Sequence, residues 1–276
     1  MAQNQQHQQH QQHQQSKRAS TRERLQELHR AEQAAAKRRQ RIVASVSAVA
    51  VIALIGGVTL AITSAKKDEK PSSKARSTAL VVPANATGDG GTVVTYGKAD
   101  APHTMEVYED FRCPVCKHFE AANGATTAKL TEDGQIKVQY HLAAFLDKNL
   151  GGNGSHLALA TSGAALNEGV DKFKAFHDVL YANQPDERED GFGDVNHLLD
   201  LAGKVPGLKT DAFVKAVQDG TYEPWADQVA AKFNDSGVTG TPTVKVDGRT
   251  VNLFTGNAVV SPEQFTEAVR QAAGLQ

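Results

Sequence analysis

The 276-residue sequence predicts an α/β domain with an inserted α-helical region, preceded by a single transmembrane helix. Three observations predict this. Residues 42–65 form a run of 24 positions without a charge, dominated by Val, Ile, Ala and Leu. Alternating apolar runs near 92–96, 104–109 and 136–141 frame a helix that opens at Cys113-Pro114. Between Asp147 and Gly237 the apolar spacing becomes helical, and after Pro242 it returns to alternation.

Taken in order, residues 1–41 predict a disordered, basic cytoplasmic tail. The first 15 residues hold nine Gln and three His and cannot bury a core. From Lys17 to Arg41 there are nine Lys or Arg against three Glu, and Ser20-Thr21-Arg22-Glu23 has capping-box spacing for a short basic helix. At about 1.5 Å per residue, residues 42–65 span about 36 Å, more than a hydrocarbon core of about 30 Å. The apolar run and its charged leader are both too long for a cleaved signal peptide. Lys and Arg balance on its two flanks, so orientation rests on length. The 41-residue leader is short enough to stay inside, and the 211 residues beyond can cross as a domain regardless of charge. The expected location is therefore the cell membrane, single-pass, with the N-terminus cytoplasmic and the remaining domain extracytoplasmic.

Residues 66–91, rich in charge, Pro, Ser and Gly, read as a linker. The domain proper divides into a first part at 92–147, a helical insertion at 148–237 and a second part at 238–276. Thr92–Tyr96 and Thr104–Glu109 are strands, with Met105 and Val107 sharing a face. Pro114 suits the first turn of a helix that ends before Asp133-Gly134, and Ile136–His141 is a third strand. Phe173, Phe176 and Leu180 share a helical face, as do Val195, Leu198 and Leu199; Thr210 caps a further helix, and Trp225, Val229 and Phe233 mark a last stripe assigned to packing. Thr243–Val246 and Thr250–Leu253 flank Asp247-Gly248, a hairpin signal, and Ser261-Pro262-Glu263-Gln264 opens a final helix.

Composition excludes several functions. From Thr78 onward there are 16 Lys or Arg and 26 Asp or Glu, which argues against a phosphate-tracking surface and hence against nucleic acid. Two cysteines cannot build a disulfide-rich scaffold, a four-cysteine zinc site or an iron–sulfur cluster. Both fall in Cys113-Pro114-Val115-Cys116, and that spacing is the feature to explain.

A strand feeding CxxC at a helix start, Gly240-Thr241-Pro242-Thr243 before a hairpin and a terminal helix together resemble the thioredoxin fold. The 125 residues between Cys116 and Pro242 exceed thioredoxin's own connection. They resemble the inserted helical domain of DsbA-like thiol–disulfide oxidoreductases. The stretch Tyr108-Glu109-Asp110-Phe111-Arg112-Cys113-Pro114-Val115-Cys116-Lys117, with Gly97-Lys98-Ala99-Asp100-Ala101-Pro102 upstream, resembles their membrane-anchored Gram-positive branch. The resemblance covers roughly residues 92–275.

The resemblance implies an extracytoplasmic oxidase that installs disulfides in secreted proteins through a Cys113–Cys116 redox disulfide, with no cofactor or metal. Disulfide exchange needs a thiolate that attacks or leaves, and the free N–H groups at a helix start stabilise one. Cys113 is thus expected as the exposed, attacked sulfur and Cys116 as the inward resolving thiol. Pro242 matches the family's cis-proline, with Thr241 facing the sulfurs and the substrate segment pairing alongside. Implied partners are reduced secreted proteins and a quinone-linked membrane protein that reoxidises the pair, and the chain is expected as a monomer. The sequence departs from the family at two positions. Val115 stands where strong oxidants often carry His, and Val107 stands where a buried acid is often found. Of the nearby Glu106, Glu109 and Asp110, either one serves as that proton acceptor or all three are solvated surface charges, the reading adopted for them, and His118 reads as a solvated or packing residue. A reductase, for example of haem-attachment thiols, would share fold and motif. A metal-handling protein that holds copper or zinc through the cysteines and the His-rich tail is the non-enzymatic alternative.

Overall fold

The computed structural model describes residues 79–275. The basic tail 1–41, the apolar run 42–65 and residues 66–78 of the linker lie outside the described residues, as does residue 276. Among the described residues no helix is long and apolar enough to cross a membrane.

The described part of the linker does not behave as a tether. The Trp225 indole N–H donates to the Gly91 carbonyl at 2.7 Å, Gln228 donates to Gly90, and Lys232 pairs with Asp89. Thr87 also bridges to Val93. Composition alone makes these residues look like a linker, because it is blind to backbone carbonyls that meet donors more than 130 residues away.

The sheet has five strands in the order β1-β3-β2-β4-β5: β1 (Val94–Tyr96), β2 (His103–Asp110), β3 (Ile136–Ala143), β4 (Thr243–Val246) and β5 (Arg249–Thr250). Strands β2 and β3 are parallel from His103↔Ile136 to Asp110↔Ala143, and α1 (Pro114–Glu132) supplies the crossover a parallel pair requires. Met105, Val107, Val138, Tyr140, Val244 and Val246 fill the centre of the sheet. Strand β4 joins antiparallel to β2, and Asp247 and Gly248 turn the β4–β5 hairpin with φ of 48° and 77°, as a type I′ turn demands. The second strand of that hairpin is shorter than the alternation implies, and β6 (Phe254–Thr255) and β7 (Ala258–Val259) form a separate small hairpin.

Helical structure after β3 begins slightly earlier than the sequence suggests. It runs through α2 (Phe145–Leu150), α3 (Gly154–Glu168), α4 (Val170–Ala182), α5 (Val195–Ala202), α6 (Asp211–Gln218) and α7 (Glu223–Asp235). Helix α3 is buried almost throughout, so it reads as apolar on all sides rather than as a stripe. Gly163 lets α7 approach it: a Cβ there would stand 2.7 Å from the Trp225 ring. Thr210 caps α6 through its side chain, as its position implied. Helix α8 (Pro262–Ala272) starts with the full Ser261–Gln264 capping box and packs Phe265 edge-on against Phe119 of α1. Sheet and helices share one hydrophobic core, from Val107 and Phe111 to Leu157 and Trp225.

Candidate active site

Strand β2 ends at Asp110, and the next three residues deliver Cys113 as the N-cap of α1, in extended conformation at φ −73° and ψ 115°. Pro114 occupies the first turn, where its missing N–H costs nothing. One helical turn later Cys116 lies on the buried face with Phe119, Asn123 and Thr127. The two sulfurs are unbridged thiols in this structure. Cys113 is 6% exposed and Cys116 0%, so the outer sulfur is Cys113, although it is far less open than its place at a helix start implies.

Thr241 and Pro242 come to these thiols from the far end of the chain. The Thr241–Pro242 bond is cis, and the Cys113 Sγ lies 3.4 Å from the Thr241 carbonyl oxygen. The four residues expected to form the site are therefore together. His118 is exposed on α1, outside the cluster.

The two thiols differ sharply in acidity. The Cys116 thiol donates to a Cys113 thiolate and draws its pKa down to about 7, against the opposing effect of burial, with further support from the backbone N–H groups of Cys116 and Val115. These are the free donors of the first helical turn. Burial pushes the Cys116 thiol well above the usual value, and the Cys113 sulfur and the Glu109 charge add to that. Such a pair has one sulfur suited to leave as a thiolate and one suited to hold its proton.

The turn before the cysteines is fixed by the helical layer. Gln184, just after α4, donates from Nε2 to the carbonyls of Phe111 and Cys113 at 2.8 and 2.9 Å. Arg112 is buried and its guanidinium reaches Asp147 at 2.7 Å, Asp190 at 3.3 Å, and the carbonyls of Gly151 and Glu187. Asp110 accepts from Ser155 Oγ at 2.6 Å and from the N–H groups of Arg112 and Leu146. Burial raises its carboxyl to about 6.

The surface reading of Glu109 and Asp110 is therefore wrong: both are 0% exposed. Only Glu106 of the three keeps partial exposure. A sequence signal existed for Glu109. The two-residue period that buries Met105 and Val107 puts Glu109 on the same face one step later. Its partner, His177 of α4, lies 68 residues away, with Nε2 at 3.0 Å from Glu109 Oε2. Glu120 of α1 joins them, so that Glu109, Glu120 and His177 each bring a ligating atom within 4.8 Å of the others. Burial pushes Glu120 up to about 8. His177 rises to about 9 against burial, through its hydrogen bonds to Asp178 and Glu109. The cluster attracts positive charge.

Residues 89–271 match the thioredoxin family profile. Disulfide bond formation protein D of Bacillus subtilis is 27% identical over 162 residues, covering 57% of this chain and 69% of that protein. Among solved structures, the disulfide bond oxidoreductase DsbG of Mycobacterium tuberculosis superposes with a TM-score of 0.56 at 27% identity, covering 67% of this chain and 88% of that one. Oxidised DsbA from the same organism gives 0.55 at 27% identity, covering 66% and 93%.

Proposed function

Because the chain belongs to the thioredoxin family and is a protein disulfide oxidoreductase, we propose that its Cys113–Cys116 pair oxidises cysteine pairs of secreted proteins outside the cytoplasm. The split in acidity between the two sulfurs at the start of α1 supports disulfide exchange at this pair in either direction, and the oxidising direction is proposed from the similarity to disulfide bond formation protein D and DsbA. A substrate thiolate attacks Cys113 Sγ of the disulfide form. The Sγ–Sγ bond breaks, and Cys116 leaves with the electron pair and takes up a proton at its buried position. A second substrate thiolate then attacks the substrate sulfur of the mixed disulfide, and Cys113 departs as the stabilised thiolate. Two electrons have passed to the protein, and the substrate leaves with its disulfide. The dithiol then returns to the disulfide by passing those electrons to a quinone-linked membrane redox partner.

Thr241 and Pro242 complete the site by standing beside Cys113 with a backbone edge to which an extended substrate segment can pair. Residues 42–65 anchor the protein as a single-pass segment, with the tail 1–41 inside and the catalytic domain outside. The uncharged length of that run supports this topology.

The reduction potential of the full-length protein in detergent micelles tests the direction of electron flow. A value near about −120 mV fits the oxidase, whereas one near about −270 mV refutes it in favour of a reductase. Cys116→Ser should accumulate mixed disulfides with substrate and Cys113→Ser should form none; the reverse pattern exchanges the two roles. A protease added outside intact cells should digest the domain beyond residue 65, and full protection would overturn the topology.

A further inference from the structure

Disulfide exchange needs only the thiols and what touches them, yet a second polar centre lies behind Cys116. A groove of about 430 Å³ runs between α1 and α4, lined by Ala121, Gly124 and Ala125 with Glu120 and Asp178. Behind Glu120 stand Glu109 and His177, both fully buried. His177 is oriented from both sides. Its Nδ1 meets Asp178 Oδ1 at 3.2 Å, and Asp178 is itself held by Lys174 Nζ at 2.6 and 2.7 Å. Its Nε2 faces Glu109 Oε2 at 3.0 Å, with the Glu120 carboxylate close by.

With Nδ1 held by Asp178, the ring turns Nε2 toward the Glu109 carboxylate, where a second ring proton or a bound cation supplies the positive charge the contact needs. One ring proton would satisfy Glu109 Oε2 alone. Glu109 Oε1 is buried without a hydrogen-bond partner, which a single proton on the ring does not remedy. An imidazole held at its outer nitrogen by a carboxylate, and presenting its inner nitrogen beside two further carboxylates, is the arrangement that protein cation sites use.

The geometry points to a divalent-cation site of the Zn²⁺ class, formed by His177 Nε2 with the carboxylates of Glu109 and Glu120 and oriented by Asp178. The three ligating atoms lie within 4.8 Å of one another. Tetrahedral zinc wants such atoms about 3.4 Å apart, so the cation is closed on by the Glu120 side chain, which lines the groove. The mixed nitrogen and oxygen set favours zinc over calcium or magnesium, which prefer oxygen alone. The groove supplies an entry path and room for a water in the fourth position. The two lysines at its edge are engaged elsewhere, Lys117 with the Gln184 carbonyl and Lys174 with Asp178. The site uses neither thiol and is independent of the direction of electron flow.

The test uses the full-length protein in detergent, oxidised to its disulfide so that the cysteines cannot bind metal. Zn²⁺ is titrated calorimetrically, and bound zinc is counted by elemental analysis after desalting. Because His7, His10 and His13 of the tail can also bind zinc, the readout is the difference between wild type and variants. The expected result is one zinc ion per chain that is lost in Glu120→Gln and His177→Asn. Asp178→Asn should weaken it by roughly 10–100-fold. Glu120→Gln decides the matter even if His177→Asn does not fold. Equal zinc content in wild type and Glu120→Gln would overturn the proposal, as would binding by the dithiol form alone.

Discussion

The acidity of Cys113 can be tested as a pH dependence of the reduced protein. Its thiol ionises at about 7 in the native state against a usual value of 9.0. For a depressed acid the contribution is fully present above the unfolded value and is lost as pH falls through the native value. The Cys113 thiolate therefore stabilises the native dithiol by about 0.4 kcal/mol at pH 7, about 1.4 kcal/mol at pH 8 and about 2.7 kcal/mol well above pH 9. The pH 8 figure is equivalent to ~30 mV toward a stronger oxidant. Cys116 acts with the opposite sign, because burial pushes it up, but only once the unfolded thiol ionises near 9. The clean window is thus between about pH 7 and 8.5. Two assays read it: ultraviolet thiolate absorbance of the reduced protein, and urea unfolding of the reduced minus the oxidised form as a function of pH. Cys116→Ala removes the leading cause of the shift, and the absorbance midpoint should rise toward the usual value. A wild-type midpoint near 9, or a stability difference flat from pH 6 to 8, would refute the reasoning.

Three further outcomes are expected. Arg112→Ala strips a buried guanidinium from Asp147 and Asp190 and should cost about 3–5 kcal/mol in urea unfolding; a loss within the noise of the measurement would mean the pair is not buried in solution. Gln184→Ala leaves the Phe111 carbonyl without its Gln184 donor and the Cys113 carbonyl with the Lys117 N–H alone and should cost about 1–3 kcal/mol, while the Cys113 midpoint stays near 7, since that shift has other causes. Gly163→Ala drives a methyl into the Trp225 ring and should cost about 1–3 kcal/mol, read from the thermal midpoint and from altered Trp fluorescence, Trp225 being the sole tryptophan.

Much of this architecture is legible in the sequence because its signals are local. Pro114 after a strand marks a helix start, Asp247-Gly248 marks a hairpin, and Ser261 with Gln264 marks a cap, each within a few residues. The pairing of Cys113 with Thr241 is legible only through the family resemblance, because nothing near either residue encodes a contact across 128 positions. Charged residues are where the reading fails. Glu109 and Asp110 look like surface groups until His177 and Ser155 arrive from other helices to satisfy them. Arg112 is equally opaque, since its partners lie 35 to 75 residues downstream. Trp225 packs as its helical spacing predicts, but its N–H also pins the segment before β1.

The distances along the chain also set an order of events. The cysteines leave the ribosome well before Gln184 and long before Thr241 and Pro242, so a growing chain carries its two thiols without the clamp or the opposite wall of the site. Until those later residues arrive, Cys113 has the local donors of its own helical turn, but the burial that raises Cys116 and the carbonyl edge opposite the pair are not yet in place. The two-sided site is thus completed late, and a chain cut short before residue 241 would have both sulfurs without the Thr241–Pro242 edge beside them.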